Sequence, residues 1–180
     1  MPESPDARLL ERLRGGDEGA LAEIYDNFCD RLYRTAIGLC GSRDDAEDLV
    51  HDTFVGLWSA RARIALVDDL TAYLFASLRH AATRQRQRRN RRQAIVNEIQ
   101  RQSQQMAAPT QSCDRQDIAE LLQTLSTEQR EIVVMKIYGG LTFAEAAAIL
   151  NISANTAASR YRYALEKLRD RLTAENAQHE

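Results

Sequence analysis

Apolar residues recur every three or four positions through most of the chain, which is typical of amphipathic α-helices. The first such stripe runs from Leu21 to Leu39; Gly41 is expected to end that helix, and Ser42 to cap the next one. The second stripe lies in the segment DAEDLVHDTFVGLW, and the charged stretch from Arg61 to Asp69 separates it from a third stripe that begins at Leu74. No β-hairpin signal occurs, so the pattern predicts an all-α fold.

The last third of the chain contains the same N-terminal helix-capping motif twice. In LSTEQ, Ser126 and Gln129 have the spacing of a capping box, and in LTFAE, Thr142 and Glu145 have the same spacing. Ser153 is a third N-cap candidate, just before a long segment without glycine or proline. Three helices are therefore predicted here, the middle one short and closely followed by the third.

The segment between these two patterned parts is rich in glutamine, contains Pro109 and has few large apolar residues, so it cannot bury enough surface to fold alone. We predict two small helical domains joined by a flexible linker. The expected boundaries are residues 1–93 for the first domain, 94–116 for the linker, which is partly helical near Ala94 to Ile99, and 117–175 for the second domain.

Charge is distributed unevenly along the 180 residues, although the net charge is only −2. Residues 1–69 sum to −7, residues 70–116 to +7 and residues 117–180 to −2, and 22 of the 24 basic residues are arginine. The basic block suits an anionic partner and the acidic block a different one. No apolar run reaches the roughly 20 residues of a membrane span, so we expect a cytoplasmic protein without membrane insertion. The cysteines and histidines show no metal-ligand spacing, and no metal or cofactor is predicted.

A short helix, a tight turn and a second helix that opens with small polar residues form a helix-turn-helix pattern. On a helical wheel, the last helix has an apolar stripe that includes Ala157, Ala164, Leu168 and Leu172, and an opposite polar face. Asparagine reads adenine edges in a major groove, and arginine reaches phosphates. The residues proposed to contact duplex DNA are Asn155, Thr156, Ser159, Arg160, Arg162 and Tyr163. The alternative is an α-hairpin whose polar face meets only water.

This last segment resembles the C-terminal domain of extracytoplasmic-function sigma factors. The resemblance rests on a G-L-T-x-x-E motif that begins at Gly140, on I-S-x-x-T that begins at Ile152, and on the Ser159-Arg160 pair. It implies that the last helix reads the −35 element of a promoter. Ala158 and Tyr163 stand where the family commonly has basic residues.

The segment AEDLVHDTFVGLW is similar to the helix with which sigma factors grip the largest subunit of core RNA polymerase. By this resemblance Asp48, His51 and Asp52 bind the polymerase, His51 replacing the usual glutamine. An acidic helix face suits a basic partner helix, because opposite charges steer association and fix the register. The alternative is an acidic face that is merely solvated.

The same resemblance implies that the arginine-rich third helix engages the melted −10 element and helps to hold an unpaired base. An aromatic ring with nearby arginines suits single-stranded DNA, because bases stack on rings and guanidinium groups neutralise phosphates. The residues proposed for this strand are Tyr73, Ser77, Arg79, His80 and Arg84. His80 stands where the family often has asparagine.

The resemblance implies a bacterial transcription initiation factor whose partners are core RNA polymerase, promoter DNA and an anti-sigma protein. It implies no catalytic residues. The sequence leaves two alternatives, a conventional regulator and an enzyme. A conventional regulator would normally carry a receiver, ligand-binding or dimerisation domain, and residues 1–92 show no pattern for one. An enzyme built on a carboxylate cluster is disfavoured, because helical spacing splits the five candidates between faces. They are Asp44, Asp45, Glu47, Asp48 and Asp52.

Overall fold

The computed structural model describes residues 5–66, 69–101 and 116–176. All regular structure in these ranges is helical, which confirms the predicted all-α fold. The helices are α1 (Pro5–Arg14), α2 (Glu18–Cys40), α3 (Arg43–Ala60), a 3-10 helix (Arg61–Leu66), α4 (Leu70–Arg101), α5 (Gln116–Gln123), α6 (Thr127–Ile137), α7 (Phe143–Leu150) and α8 (Ala154–Asn176).

The N-terminal helices α1–α4 pack around a shared apolar core. Its fully buried side chains include Leu10, Leu13, Ile24, Leu32, Leu57, Leu74 and Leu78. The end of α2 and the start of α3 follow the sequence prediction. Gly41 has φ 75°, a left-handed conformation that glycine adopts without Cβ strain, and the Ser42 hydroxyl accepts a hydrogen bond from the backbone N–H of Asp45.

Two helices, α1 and α5, were not predicted from the sequence. In addition, α4 continues to Arg101, so the first part of the predicted linker, including Ala94 to Ile99, is helical. Arginine, glutamine and alanine favour helix even without tertiary contacts, which explains how α4 extends beyond the core. The rest of the linker, residues 102–115, lies outside the described ranges.

The C-terminal helices α5–α8 are delimited by side-chain caps. Both predicted capping boxes are present, Ser126 with Gln129 on α6 and Thr142 with Glu145 on α7, and Ser153 caps α8 by accepting from the N–H of Thr156 at 3.0 Å. Hydrogen bonds from the hydroxyl and backbone N–H of Thr142 lower the pKa of Glu145. These short-range contacts fix where each helix begins.

The predicted apolar stripe of α8 is only partly buried. Ala157 and Ala164 are buried and Leu168 is half-buried, but Leu172 is 49% exposed, so its assignment to the core was wrong. The reason is length. Helix α8 has 23 residues, whereas α6 has 11 and α7 has 8, and helices that short cannot cover the whole of α8.

The N-terminal and C-terminal helices pack directly against each other, mainly α2 and α4 against α6 and α7. Gly38 allows the closest approach, because a Cβ atom there would lie 2.4 Å from Cγ1 of Val134. Arg31 reaches across and donates from Nε to the carbonyl oxygen of Gly139 at 3.1 Å. Its guanidinium also lies 5.4 Å from the ring centroid of Phe75. We call this packing the closed arrangement.

Candidate nucleic-acid and protein interfaces

Helix α3 presents an acidic face to solvent. Asp48, His51 and Asp52 are all exposed, and their spacing places them on one side of the helix, while Leu49 and Phe54 are buried on the other. The predicted polymerase-binding residues therefore form one continuous surface. Sequence reasoning missed Val55 on this face; it follows Asp48 by two helical turns and is 48% exposed.

A groove of about 170 Å³ lies between α3 and α4. Four of the five residues proposed for the −10 strand line it, together with Asp52, Thr53 and Gly56 of α3: they are Tyr73, Ser77, His80 and Arg84. Their spacing of three or four positions along α4 places them on one face of that helix. Asp52 thus belongs both to the acidic face and to the groove, so the two predicted surfaces are adjacent.

The fifth residue proposed for the −10 strand, Arg79, does not line this groove. Its Nε lies 3.2 Å from Oε2 of Glu131 on α6, across the contact between the N-terminal and C-terminal helices. The carboxylate is the more enclosed partner, with its side chain 9% exposed against 27% for Arg79. Among the described residues the buried Nε has no well-aligned hydrogen-bond acceptor, so this contact is an ion pair without a directed hydrogen bond.

The polar face of α8 is accessible at its N-terminal end. Asn155 and Thr156 are exposed, as are Arg162 and Tyr163, and Ser159 is half-buried. The Thr156 hydroxyl lies 2.8 Å from that of Ser153, and its backbone N–H is held by the same serine. Thr156 therefore takes part in the helix cap as well as in the predicted DNA face.

The two arginines on this face have different surroundings. Arg160 is half-buried, and its guanidinium lies 2.9 Å from the carboxylate of Glu128 at the start of α6. Arg162 is exposed, and its guanidinium lies 5.5 Å from the ring centroid of Tyr163. A phosphate must compete with Glu128 for Arg160, whereas Arg162 is already available on the surface.

Two family models match the chain in the order in which these surfaces occur. The model for sigma-70 region 2 matches residues 24–93, which include the acidic face and the groove. The model for sigma-70 region 4 matches residues 115–168, which include the helix-turn-helix. The chain belongs to the sigma-70 family of sigma factors.

Similar proteins of this family share about the same low identity with the chain. The ECF RNA polymerase sigma factor SigL of Mycobacterium tuberculosis is 29% identical over 150 residues, which cover 81% of this chain and 85% of the relative. The ECF RNA polymerase sigma factor SigK of Mycobacterium bovis is 29% identical over 169 residues, which cover 90% of each. The matches therefore span more than four fifths of this chain and of each relative.

The fold is also similar to that of solved structures, among them two complexes. One is CnrH in complex with the cytosolic domain of CnrY, with a TM-score of 0.70, 25% identity and coverage of 92% of this chain and 96% of that one. The other is the sigma factor RpoE in complex with the anti-sigma factor NepR from Bartonella quintana, with a TM-score of 0.67, 28% identity and coverage of 84% and 97%.

The described part of this sigma factor has neither a cluster of metal ligands nor a helix suited to cross a membrane, and its Cys40 thiol lacks the environment of a reactive cysteine. Within residues 5–66, 69–101 and 116–176, no three histidine, cysteine, aspartate or glutamate residues are grouped to hold a metal ion. Burial raises the pKa of Cys40, which keeps its thiol protonated and weakly nucleophilic. No helix in the described part of the chain is long and apolar enough to cross a membrane.

Proposed function

We propose that this sigma factor binds core RNA polymerase through the acidic face of α3, holds the melted −10 strand in the groove between α3 and α4, and reads the duplex −35 element with α8. The polymerase-binding residues are Asp48, His51 and Asp52. The −10 residues are Tyr73, Ser77, His80 and Arg84, with Arg79 available once it leaves Glu131. The −35 residues are Asn155, Thr156, Ser159, Arg160, Arg162 and Tyr163. The chain has no active site of its own, and the polymerase supplies the chemistry.

The groove is the observation that carries this proposal. Tyr73 offers a ring for base stacking, Ser77 and His80 offer hydrogen-bonding groups, and Arg84 offers a phosphate contact, all in one concave site. Asp52 joins the groove to the acidic face. A polymerase subunit on α3 is therefore positioned to deliver the melted strand into the adjacent groove.

The closed arrangement must open for this function. The −10 and −35 elements lie about 25 base pairs apart by name, which is roughly 85 Å of duplex at 3.4 Å per step. A compact chain of this length has a radius of gyration of about 16 Å and is roughly 40 Å across. The closed form therefore cannot reach both elements at once, and the C-terminal helices must leave α2 and α4.

We further propose that an anti-sigma protein regulates this chain. The CnrH and RpoE structures are complexes, one with the cytosolic domain of CnrY and one with the anti-sigma factor NepR. A protein that favours the closed arrangement opposes the separation that promoter binding requires. Such a partner would inhibit without covering the groove.

The test is run-off transcription with purified core RNA polymerase, a library of promoter fragments and the full chain. We expect discrete transcripts that require the protein and that weaken at least tenfold with Asp48→Ala/Asp52→Ala. The matched control is Glu166→Ala/Asp170→Ala, which removes two exposed carboxylates at the same spacing from α8 and leaves α3 intact. Transcripts that persist with the first pair, or DNA binding by the free chain with no dependence on polymerase, would contradict the proposal.

A further inference from the structure

A second cavity, of about 250 Å³, lies where the N-terminal and C-terminal helices meet. The end of α2, one side of α4 and the first turns of α6 form its walls. Four arginines line it: Arg79, Arg86 and Arg89 come from α4, and Arg130 comes from α6. We call this cavity the arginine cleft.

The arginine cleft has more positive than negative charge. Arg79 is paired with Glu131 inside the cleft, and Arg89 is paired with Asp45 at 2.8 Å. Arg86 donates to the Thr127 hydroxyl at 2.7 Å, and within the described ranges it has no carboxylate partner. One side of the cleft thus presents a guanidinium whose charge no described carboxylate balances.

Arg130 adds a further positive charge. Its N–H groups donate to carbonyl oxygens, which are neutral and leave the charge unbalanced. Its Nε donates to the carbonyl of Leu122 at 3.0 Å, and its Nη1 donates to that of Leu39 at 3.3 Å. Desolvation by burial, and then the charge of Arg86, lower the pKa of Arg130. Two like charges from opposite halves of the molecule therefore face each other in the closed arrangement, and an anion between them would relieve that repulsion.

The start of α6 also favours an anion here. Thr127 is the first residue of this 11-residue helix and lines the cleft, so the positive end of the helix dipole contributes to the same site. Arginine forks match the oxygens of phosphoryl groups and form charge-assisted hydrogen bonds with them. Glutamine and asparagine side chains of the lining, Gln85, Asn90 and Gln123, supply neutral polar groups around the rim.

We propose that the arginine cleft binds a small phosphoryl anion of the size of pyrophosphate and that the bound anion stabilises the closed arrangement. The ligand bridges Arg86 and Arg89 on α4 with the Thr127 hydroxyl on α6, close to the positive charge of Arg130, and so links the two halves. The site exists in the free protein and does not depend on the promoter-binding roles proposed above. The cavity is too small for a DNA duplex, which makes a free anion the proposed source of the phosphoryl group.

The first test is calorimetric titration of the full, phosphate-free chain with pyrophosphate, orthophosphate and sulfate at matched ionic strength. We expect pyrophosphate to bind most tightly and Arg86→Gln to weaken it at least tenfold, because a hydrogen bond to a charged group is lost. Arg86→Lys keeps the charge but not the fork and should be intermediate. The control Arg34→Gln removes an exposed arginine that pairs with Asp30 on its own helix, and it should bind as the parent does.

The second test asks whether binding acts on the closed arrangement. Pyrophosphate should raise the melting temperature and lower the radius of gyration measured by small-angle X-ray scattering, and both changes should disappear in Arg86→Gln. Equal effects of pyrophosphate and sulfate would show a general effect of salt and would overturn the proposal. Unchanged binding of pyrophosphate by Arg86→Gln would also overturn it. Displacement of pyrophosphate by a single-stranded oligonucleotide that binds more tightly would show that the cleft binds the phosphates of a nucleic-acid backbone. That result would overturn the proposal of a free anion.

Discussion

Helix α4 has two faces whose residues follow the same spacing, offset by two positions along the chain. One face lines the groove, and the other contacts the C-terminal helices. The groove face consists of Tyr73, Ser77, His80 and Arg84. The docking face consists of Phe75, Arg79, Ala82 and Arg86. A shift of two positions turns a helix by about 200°, so the same spacing pattern is repeated on opposite sides. The groove face is open to solvent, whereas the docking face contacts the C-terminal helices.

This comparison explains how closing can oppose promoter binding without blocking the groove. A strand can enter the groove in either arrangement, because none of the lining residues belongs to α5–α8. The closed form cannot contact the −10 and −35 elements at the same time, because its C-terminal helices are held against α2 and α4. The two faces should therefore be separable in the free chain. Substitutions on the docking face should open the closed arrangement, whereas substitutions on the groove face should leave it unchanged and weaken binding of single-stranded DNA.

The largest effect is expected from Arg79→Ala on the docking face. It leaves the enclosed carboxylate of Glu131 without its guanidinium, and removing one partner of a buried pair costs about 3–5 kcal/mol. Because Arg79 is partly solvated, we expect the closed arrangement to lose about 3 kcal/mol relative to the open one. The measurement is the radius of gyration of the free chain, which should increase.

Arg84→Ala is the matched control on the groove face. It removes an exposed arginine five residues later on α4, so the closed arrangement should change by less than about 0.5 kcal/mol. Affinity of the polymerase-bound protein for a single-stranded −10 oligonucleotide should instead fall about tenfold, through loss of one charged contact. If Arg84→Ala also expanded the free chain, the two faces would not be independent.

The next effect concerns the close approach at Gly38. A Cβ atom there would lie 2.4 Å from Cγ1 of Val134 and 3.4 Å from Cδ2 of Tyr138, so Gly38→Ala overpacks the contact between α2 and α6. Overpacking of this kind costs about 1–3 kcal/mol, and we expect the closed arrangement to lose about 2 kcal/mol. Scattering and thermal unfolding of the free chain measure the change.

Gly56→Ala makes the comparison specific. Gly56 is also inside a helix, but a Cβ atom there has no heavy atom within 4 Å. Both substitutions gain helix propensity of up to about 1 kcal/mol, so the difference between them isolates the clash with Val134. Gly56→Ala should therefore be neutral or stabilising. Equal unfolding temperatures and equal radii of gyration for the two variants would show that the Gly38 approach does not hold the halves together.

Local features of the molecule could be predicted from the sequence, because their physics acts over three or four residues. The capping boxes at Ser126 and Thr142 are examples, and so is the left-handed glycine at Gly41. Leu9, Leu10 and Leu13 have helical spacing too, and this signal could have identified α1. Exposure of the acidic face and of most of the α8 face also agrees with the helical wheels, while the roles of those residues remain predictions.

The contact between the two halves could not be predicted in the same way. Arg79 and Glu131 are far apart in sequence, and nothing near either residue specifies the other. An arginine in a basic run is equally suited to a phosphate and to a carboxylate, and only tertiary packing distinguishes the two. From the sequence alone, Gly38 would be expected only to weaken α2. The structure shows that it makes room for Val134 of α6.

The smallest effect separates folding of the C-terminal helices from their docking on α4. Thr142→Ala removes the N-cap of α7 and should cost about 1 kcal/mol of unfolding free energy at pH 7, without changing any side chain on α4. Because hydrogen bonds from Thr142 lower the pKa of Glu145, its carboxylate contributes stability above the ordinary glutamate pKa and loses it as the pH falls through the lowered value.

The two capping boxes provide an internal control for this pH dependence. Glu145 is ionisable, whereas its counterpart Gln129 is not. Ser126→Ala should therefore cost about 1 kcal/mol at every pH from 7 down to 3, while the cost of Thr142→Ala should shrink as Glu145 becomes protonated. Chemical denaturation at several pH values measures both. A parallel loss for the two variants would mean that the hydroxyl of Thr142 acts only through the backbone N–H of Glu145, and that its hydrogen bond to the carboxylate adds no stability.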